Sequence, residues 1–230
     1  MNVTGDFDCV KIDCYIAAMN AFRPGEKKAY HHGNLRQVLL DGAAKLLREE
    51  GEAGLSMRKL AARTGVSRTA AYHHFKDKHD LLCATAEEGF RRFRAVFHSP
   101  GQDPVDQQRL QRLVEDYIDF ATNQSEYYDL MFGSRLWRSE GLTDTLTEEA
   151  HGTFRGYVDG IRRWRGQRGV SSRLDPLRYA QVTWSTLHGM SRLLIDGIYI
   201  DDEARKAMCQ ATAEMFWREL TAMPNGVNRS

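Results

Sequence analysis

The stretch SMRKLAARTGVSRTAAYHHFKDKHDLL, residues 56–82, contains two short amphipathic runs on either side of the corner Gly65-Val66-Ser67. Neither run is long enough to form a helix that is stable alone in water, so a neighbouring helix must support the pair. Apolar and small residues recur at helical spacing on both sides of the corner. They are Met57, Leu60, Ala61 and Thr64 in the first run, and Val66, Ala70, Ala71 and Phe75 in the second.

The corner has the chemistry of a tight turn between two helices. Gly65 supplies the positive φ that a side chain would resist, and the hydroxyl of Ser67 can accept from the free amides of the second helix. Val66 fills the angle from inside. The preceding run NLRQVLLDGAAKLLREEG, from Asn34 to Gly51, predicts a third helix that braces the pair. This pattern indicates a helix-turn-helix.

The second run presents a polar outer face that suits DNA. Its donors and small groups match base edges and phosphates in a major groove. Lys76 and Lys78 follow it, and a helix capped by Asp77 adds backbone amides that can hold a phosphate. Two core helices with a solvated basic face would explain each of these features singly, but not their coincidence. The residues of the outer face are Arg68, Thr69, Tyr72 and His73 or His74.

The charge of the chain is concentrated around this stretch. Residues 23–80 hold 12 Lys/Arg against 7 Asp/Glu and five of the eight histidines, whereas residues 81–230 hold 19 against 21. A basic balance of this size permits nucleic-acid binding without proving it. The four cysteines have no zinc spacing, which is typical of thiols in a reducing cytoplasm. The sequence has neither a secretory signal nor an apolar run that could cross a membrane.

The rest of the chain also has helical patterns and no strand pattern, which predicts an all-α fold. We expect an N-terminal three-helix DNA-binding domain and a larger C-terminal helical domain for regulation and dimerisation. The predicted later helices are 104–123, 125–132, 142–167, 175–196 and 201–221. The predicted divisions are a tail at 1–22, the helix-turn-helix domain at 23–80, the ligand-binding and dimerisation domain at 81–222 with a shared helix at 77–98, and a tail at 223–230.

The segment GLSMRKLAARTGVSRTAAYHHFKDKHDLL, preceded by YHHGNLRQVLLDGAAKLL, resembles the tetracycline-repressor (TetR) family of bacterial transcription regulators. A second segment, WSTLHGMSRLL, has the pattern W-x3-H-G at Trp184, His188 and Gly189, and it is similar to the C-terminal domain of one TetR subfamily. The resemblance implies a homodimer, a palindromic double-stranded operator, and a pocket for a small hydrophobic effector. Repression that the effector relieves is the expected mode, with activation as the alternative that the sequence leaves open.

The resemblance also implies DNA contacts at individual residues. Ala70 and Ala71 are smaller than the residues usual there, so the recognition helix is expected to lie closer to its neighbours. His79 replaces a usual glutamate and adds a group that can be protonated near pH 7. Carried over position by position, the predicted contacts are Tyr30, His32, Arg58, Ser67, Arg68, Thr69, Tyr72, His73, His74 and Lys78.

The C-terminal half is rich in aromatic residues, and apolar cavities between helices commonly hold ligands. Trp184 and His188 lie one helical turn apart and share a face, so they line either a pocket or the dimer interface. We expect the helices at 175–196 and 201–221 to form that interface, and the helix at 77–98 to transmit effector binding. The predicted ligand contacts are Tyr117, Phe120, Tyr128, Phe132, Trp137, Trp184 and His188.

Two other functions would also account for single features of the sequence. Histidines 31, 32, 73, 74 and 79 with Asp80 suggest a helical metal-dependent phosphohydrolase, but the helix-turn-helix explains them better. A helical ligand-binding or scaffold protein without DNA affinity should have an acidic or apolar recognition face, which this chain lacks. No nucleophile elbow or phosphate-binding glycine loop occurs. We therefore predict no catalytic residue, no metal and no cofactor.

Overall fold

The computed structural model describes residues 35–97, 106–168, 175–199 and 201–222, with the side chains of 167 and 168 left out. The described residues from Arg36 onward belong to one compact unit. Throughout these ranges the only regular secondary structure is helix, which confirms the all-α prediction. The helices are α1 (Leu35–Gly54), α2 (Met57–Thr64), α3 (Arg68–His74), α4 (Lys78–Phe97), α5 (Gln107–Asn123), α6 (Ser125–Phe132), α7 (Ser134–Trp137), α8 (Asp144–Arg168), α9 (Pro176–Ile195) and α10 (Asp202–Thr221).

Helix α1 supports the two short helices that follow it. Its regular geometry is interrupted at Gly51, where φ is 66°. Gly42 faces α2 so closely that an added Cβ would lie 2.6 Å from Thr64 Cγ2, and this close approach gives α2 its support. The buried residues of α1 include Leu40 and Ala44, while Leu35, Val38 and Leu47 are only half-buried. The buried side overlaps in part with the stripe that the helical pattern of the sequence predicts, and it is rotated from that stripe. The predicted stripe consists of Leu35, Val38, Leu39, Ala43, Leu46 and Leu47.

The long helix α4 lies at the centre of the molecule and packs against α5, α6 and α8. Phe93, one turn before the end of α4, is fully buried. Gly89 lies one turn earlier, and an added Cβ there would be 2.8 Å from Met131 Sδ of α6. The absence of a side chain at Gly89 thus lets α4 and α6 approach closely.

Helices α9 and α10 close the far side of the fold by packing on α5. The sequence pattern predicts that Ala207, Met208, Ala211, Met215 and Phe216 share one side of α10, but only Phe216 of these five is buried. Apolar residues lie on both sides of α10, so the periodicity of this helix alone does not identify its core side. No described helix is long and apolar enough to cross a membrane.

Candidate DNA-binding surface and regulatory cleft

The corner between α2 and α3 is stabilised by its own side chains and backbone. Ser56 Oγ accepts from the amide of Lys59 at 3.2 Å and begins α2. Gly65 ends α2 in the left-handed region with φ 70° and ψ 24°. Ser67 Oγ then accepts from the amide of Ala70 at 3.1 Å and begins α3. The cap and turn roles predicted for Gly65 and Ser67 match this geometry.

Helix α3 has one buried side and one exposed side. Ala71 and Phe75 are 0% and 1% exposed and hold the helix against the core. On the opposite side Tyr72 is 52% exposed. His74 is half-buried, with its ring next to that of Phe75. The predicted DNA contacts that are exposed are Arg58, Ser67, Arg68, Thr69, Tyr72 and His73.

The start of α4 adjoins this face and is also capped by local side chains. Asp77 Oδ1 accepts from the amide of Asp80 at 2.9 Å, and Asp80 Oδ2 accepts from the amide of Lys76 at 2.9 Å. The half-buried Lys78 donates through Nζ to the backbone carbonyl of Glu52 at the end of α1. An ammonium group has three donors, so two remain available for a phosphate oxygen.

His79, in the first turn of α4, hydrogen-bonds to a residue far along the chain. His79 Nε2 donates to the carbonyl of Gly141, 3.2 Å away, in the segment between α7 and α8. Among the residues that the structure describes, no three His, Cys, Asp or Glu side chains form a group that could hold a metal ion. Tyr30 and His32, two predicted DNA contacts, lie outside the described residues, as does His31.

A cleft of about 320 Å³ opens between α4, α6, α7, α8 and α9. Of the predicted ligand contacts, Phe132, Trp137 and Trp184 line it. Trp137 is held in place because its Nε1 donates to the Met131 carbonyl at 2.7 Å. No sequence pattern pointed to Ala150 or His151 as lining residues, because neither belongs to the set of Phe, Tyr and Trp residues or to the W-x3-H-G pattern from which the ligand contacts were predicted. The lining residues are Phe90, Met131, Phe132, Trp137, Ala150, His151, Phe154 and Trp184.

The other predicted ligand contacts lie deeper. The hydroxyls of Tyr117 and Tyr128 are 3.2 Å apart, and the Tyr128 hydroxyl is 2.8 Å from His188 Nδ1. Burial raises the pKa of Tyr128 to about 12. Burial, followed by the positive charge of Arg192, lowers the pKa of His188 from its ordinary 6.5. A neutral imidazole that accepts from Tyr128 fits both shifts. Phe120 is buried against Phe93, with ring centroids 5.0 Å apart.

Helix α9 separates its two sides clearly. Trp184 lies 5.7 Å from the Phe93 ring, and His188 stacks on Tyr128 at 5.6 Å, so both face the interior. Val182 is 57% exposed on the other side, and a Cβ added at Gly189 would meet nothing within 4 Å. Trp184 and His188 therefore lie on the cleft side of α9 rather than on its outer face.

Two family models match this chain. One, for bacterial regulatory proteins of the tetR family, matches residues 39–85, and one for the tetracyclin repressor-like C-terminal domain matches residues 110–216. The HTH-type transcriptional repressor AcnR of Corynebacterium glutamicum is 41% identical over 183 residues, which are 79% of this chain and 88% of AcnR. The chain belongs to the TetR family. It is a DNA-binding regulator of transcription.

Solved structures agree with this assignment. A protein of unknown function from Rhodococcus sp. RHA1 is 32% identical with a TM-score of 0.71, and the match covers 85% of this chain and 100% of that one. The fatty acid degradation regulator FadR from Bacillus halodurans has a TM-score of 0.64 over 86% of this chain and 99% of its own. At 17% identity, the second match shows a common fold alone.

Proposed function

We propose that this TetR-family chain is a cytoplasmic repressor that binds a palindromic operator as a homodimer and is released by a small apolar effector. The observation that carries the proposal is the outer face of α3, where Arg68, Thr69 and Tyr72 are exposed while Ala71 is fully buried. A helix held in this way can enter a major groove with its polar side chains foremost. The similarity to a protein named as a repressor supports the direction of regulation.

The proposed contacts divide into two kinds. Arg68 and Thr69 open the recognition helix, where side chains reach base edges and set sequence preference. Lys78, beside the first turn of α4, and Arg58, on α2, are placed to hold phosphates, which fix the position of a protein without reading sequence. Tyr30 and His32 remain proposed backbone contacts from the segment before α1. The further proposed contacts are Ser67, Tyr72, His73 and His74.

The outer faces of α9 and α10 support the homodimer. Val182 on α9 and Met215 on α10 are 57% and 48% exposed, and the neighbouring Ala207 and Ala211 are also exposed. Gly189 leaves open space on the same side of α9 as Val182, which would allow a helix of a second copy to approach closely. A dimer built on these faces would place its two recognition helices one DNA turn, roughly 34–36 Å, apart.

The lining of the cleft supports an uncharged, largely aromatic effector. Five of the eight lining side chains are aromatic, and Met131 and Ala150 are apolar. Aromatic rings favour a flat partner through stacked and edge-to-face contacts, and His151 is the lining side chain that can hydrogen-bond through a ring nitrogen. We also propose that the chain belongs to the W-x3-H-G subgroup. The support is that Trp184 and His188 face the interior while Gly189 faces outward. The deeper Tyr117, Tyr128 and His188 would then support the cleft.

The proposal is tested by selecting an operator with the purified chain from a library of random duplexes. We expect a palindromic sequence. Lys78→Ala should weaken binding to every sequence and reduce the slope of log K against log salt concentration by about one. Arg68→Ala should instead change the selected bases and cost about 1–3 kcal/mol on the original operator.

Arg109→Ala is the matched control, since it removes an arginine from α5 and so from outside the proposed DNA face. If the wild-type chain selects no sequence, the proposed function is wrong. If the Lys78 and Arg68 variants both bind as the control does, the proposed face is wrong.

A further inference from the structure

Helix α6 contacts three different parts of the molecule within eight residues. Glu126 and Tyr127, in its first turn, reach α1. Tyr128 is fully buried and contacts His188 of α9. Met131 and Phe132, in its last turn, line the cleft. The same short helix therefore borders the cleft at one end and the helix that supports α2 and α3 at the other.

The contact with α1 is a paired hydrogen bond between two charged groups, which we call the Arg48–Glu126 clamp. Arg48 Nε donates to Glu126 Oε2 at 2.9 Å and Nη2 donates to Oε1 at 2.7 Å. Nη2 also donates to the carbonyl of Asn123, the last residue of α5, at 2.8 Å. The Glu126 side chain is 6% exposed. A paired geometry of this kind depends on orientation as well as distance, so the clamp fixes the direction of α6 relative to α1.

A second set of side chains joins the same helices. Arg92 of α4 donates through Nη2 to Asp41 Oδ1 of α1 at 2.6 Å, and its guanidinium lies 4.7 Å from the centre of the Tyr127 ring. The Tyr127 hydroxyl is 3.5 Å from the same Asp41 oxygen. Two of these three side chains are shielded from solvent: Arg92 is half-buried, and Tyr127 is 2% exposed. These contacts hold α1, α4 and α6 together but leave the clamp as the ion pair that joins α1 directly to α6.

The packing of α6 makes it responsive to the cleft. Because a Cβ at Gly89 would lie 2.8 Å from Met131 Sδ, Met131 has no room to move toward α4. A molecule that overfills the cleft of about 320 Å³ beside Met131 and Phe132 would therefore push α6 away from α4. Packed interiors transmit such displacements rather than absorb them, and a helix of two turns moves as a unit. The first turn of α6, with Glu126, then shifts against Arg48.

We propose that the Arg48–Glu126 clamp transmits occupation of the cleft from α6 to α1, and so changes how α2 and α3 meet DNA. The inference rests on the proposed function and adds a second route to the one through α4. Arg48 and Glu126 are positioning residues that touch neither the cleft nor the proposed DNA face. Coupling between two sites of a protein typically changes affinity 5- to 150-fold, and the clamp should carry most of that change.

A double-mutant cycle tests this without a known effector. Ala150→Trp places a ring in the cleft and stands in for a ligand. With the clamp intact, we expect it to lower affinity for the selected operator about 10-fold, within the usual range of coupling. In the Arg48→Met background the same substitution should lower affinity less than about 2-fold, because the ion pair that joins α6 to α1 is lost and only the long Tyr127–Asp41 contact of 3.5 Å remains between them. Affinity is measured by fluorescence anisotropy of labelled operator at one salt concentration.

Glu148→Trp is the matched control, since it adds the same ring at an exposed position of α8 and should leave operator affinity within about 2-fold. Arg48→Met leaves a buried carboxylate that can destabilise the fold, so Arg48→Met with Glu126→Met is measured in parallel and should give the same loss of coupling. Equal effects of Ala150→Trp in both backgrounds, or no effect in either, would overturn the inference while operator binding by the parent chain upholds the proposed function. Failure of the parent chain to select any operator would overturn both.

Discussion

The α2–α3 corner and the aromatic interior around Phe93 are built in opposite ways. The hydrogen bonds that shape the corner span three to five residues, as from Ser56 to Lys59 and from Val66 to Ala61. The ring of Phe93 instead lies within 6 Å of the rings of Tyr117 and Trp184, the second of which is 91 positions further along the chain. The corner can therefore form from local chemistry once α1 supports it, whereas the interior forms only when several helices meet.

Because the two regions are built differently, substitutions in them should affect different properties, namely DNA binding at the corner and stability in the interior. A residue on the outer face of α3 has few contacts within the chain, so changing it alters DNA binding and leaves the fold in place. Phe93 in the interior contacts rings of three other helices, α5, α6 and α9, so changing it alters stability first. The cleft adjoins this interior, which means that effector binding and stability are coupled there.

Substituting one buried and one exposed aromatic residue should show the largest difference in stability between the interior and the corner. Phe93→Ala removes a fully buried ring and should lower the free energy of unfolding by about 3–5 kcal/mol. Tyr72→Ala removes a ring that is 52% exposed and should change it by no more than about 0.5 kcal/mol. Urea denaturation followed by circular dichroism measures both. Operator affinity should fall for Tyr72→Ala, and an equal loss of stability in the two variants would remove the distinction between the regions.

Alanine substitutions at two glycines should change the stability of the chain by smaller amounts and in opposite directions. Gly65→Ala should destabilise the chain by about 1–2 kcal/mol, because a Cβ is disfavoured at φ 70°, although the added atom would meet nothing within 4 Å. Gly152→Ala, within α8 and equally free of contacts, should stabilise it by about 0.5–1 kcal/mol through higher helix propensity. Thermal unfolding of the two variants should therefore shift in opposite directions. A shift of the same sign would mean that the turn conformation does not constrain the corner.

The smallest expected effect is a pH dependence in the interior. Because burial lowers the pKa of His188 below 6.5, the unfolded chain binds a proton more readily than the folded chain. Unfolding therefore takes up a proton as pH falls from about 7 through 6.5, and stability declines until the folded pKa is passed. His188→Gln should make the denaturation midpoint less sensitive to pH between 7.5 and 5. His73→Gln, on the exposed face of α3, is the control, and it should retain the pH dependence of the parent chain.

The parts of the fold that sequence predicted well are those with local signals. The caps at Ser56, Ser67 and Asp77 placed the starts of three helices, and Gly65 placed the end of α2. The short helix α7 was not predicted, because four residues provide too little periodicity to recognise. The buried side of α10 could not be identified from the sequence, since its apolar residues occur on two sides and only contact with α5 and α9 distinguishes them.

The amino-acid sequence by itself determined every described helix except α7, the corner between α2 and α3, and the polar face that identifies the family. Only the tertiary structure decided that Trp184 and His188 face inward, that Ala150 and His151 complete the cleft, and that Arg48 pairs with Glu126. The physical reason is the separation along the chain between the residues that interact. Caps and turns form between residues that are a few positions apart, so their chemistry is visible in the sequence. A cleft or a clamp instead depends on contacts between helices that are far apart in the chain, as Phe93 and Trp184 are at 91 positions.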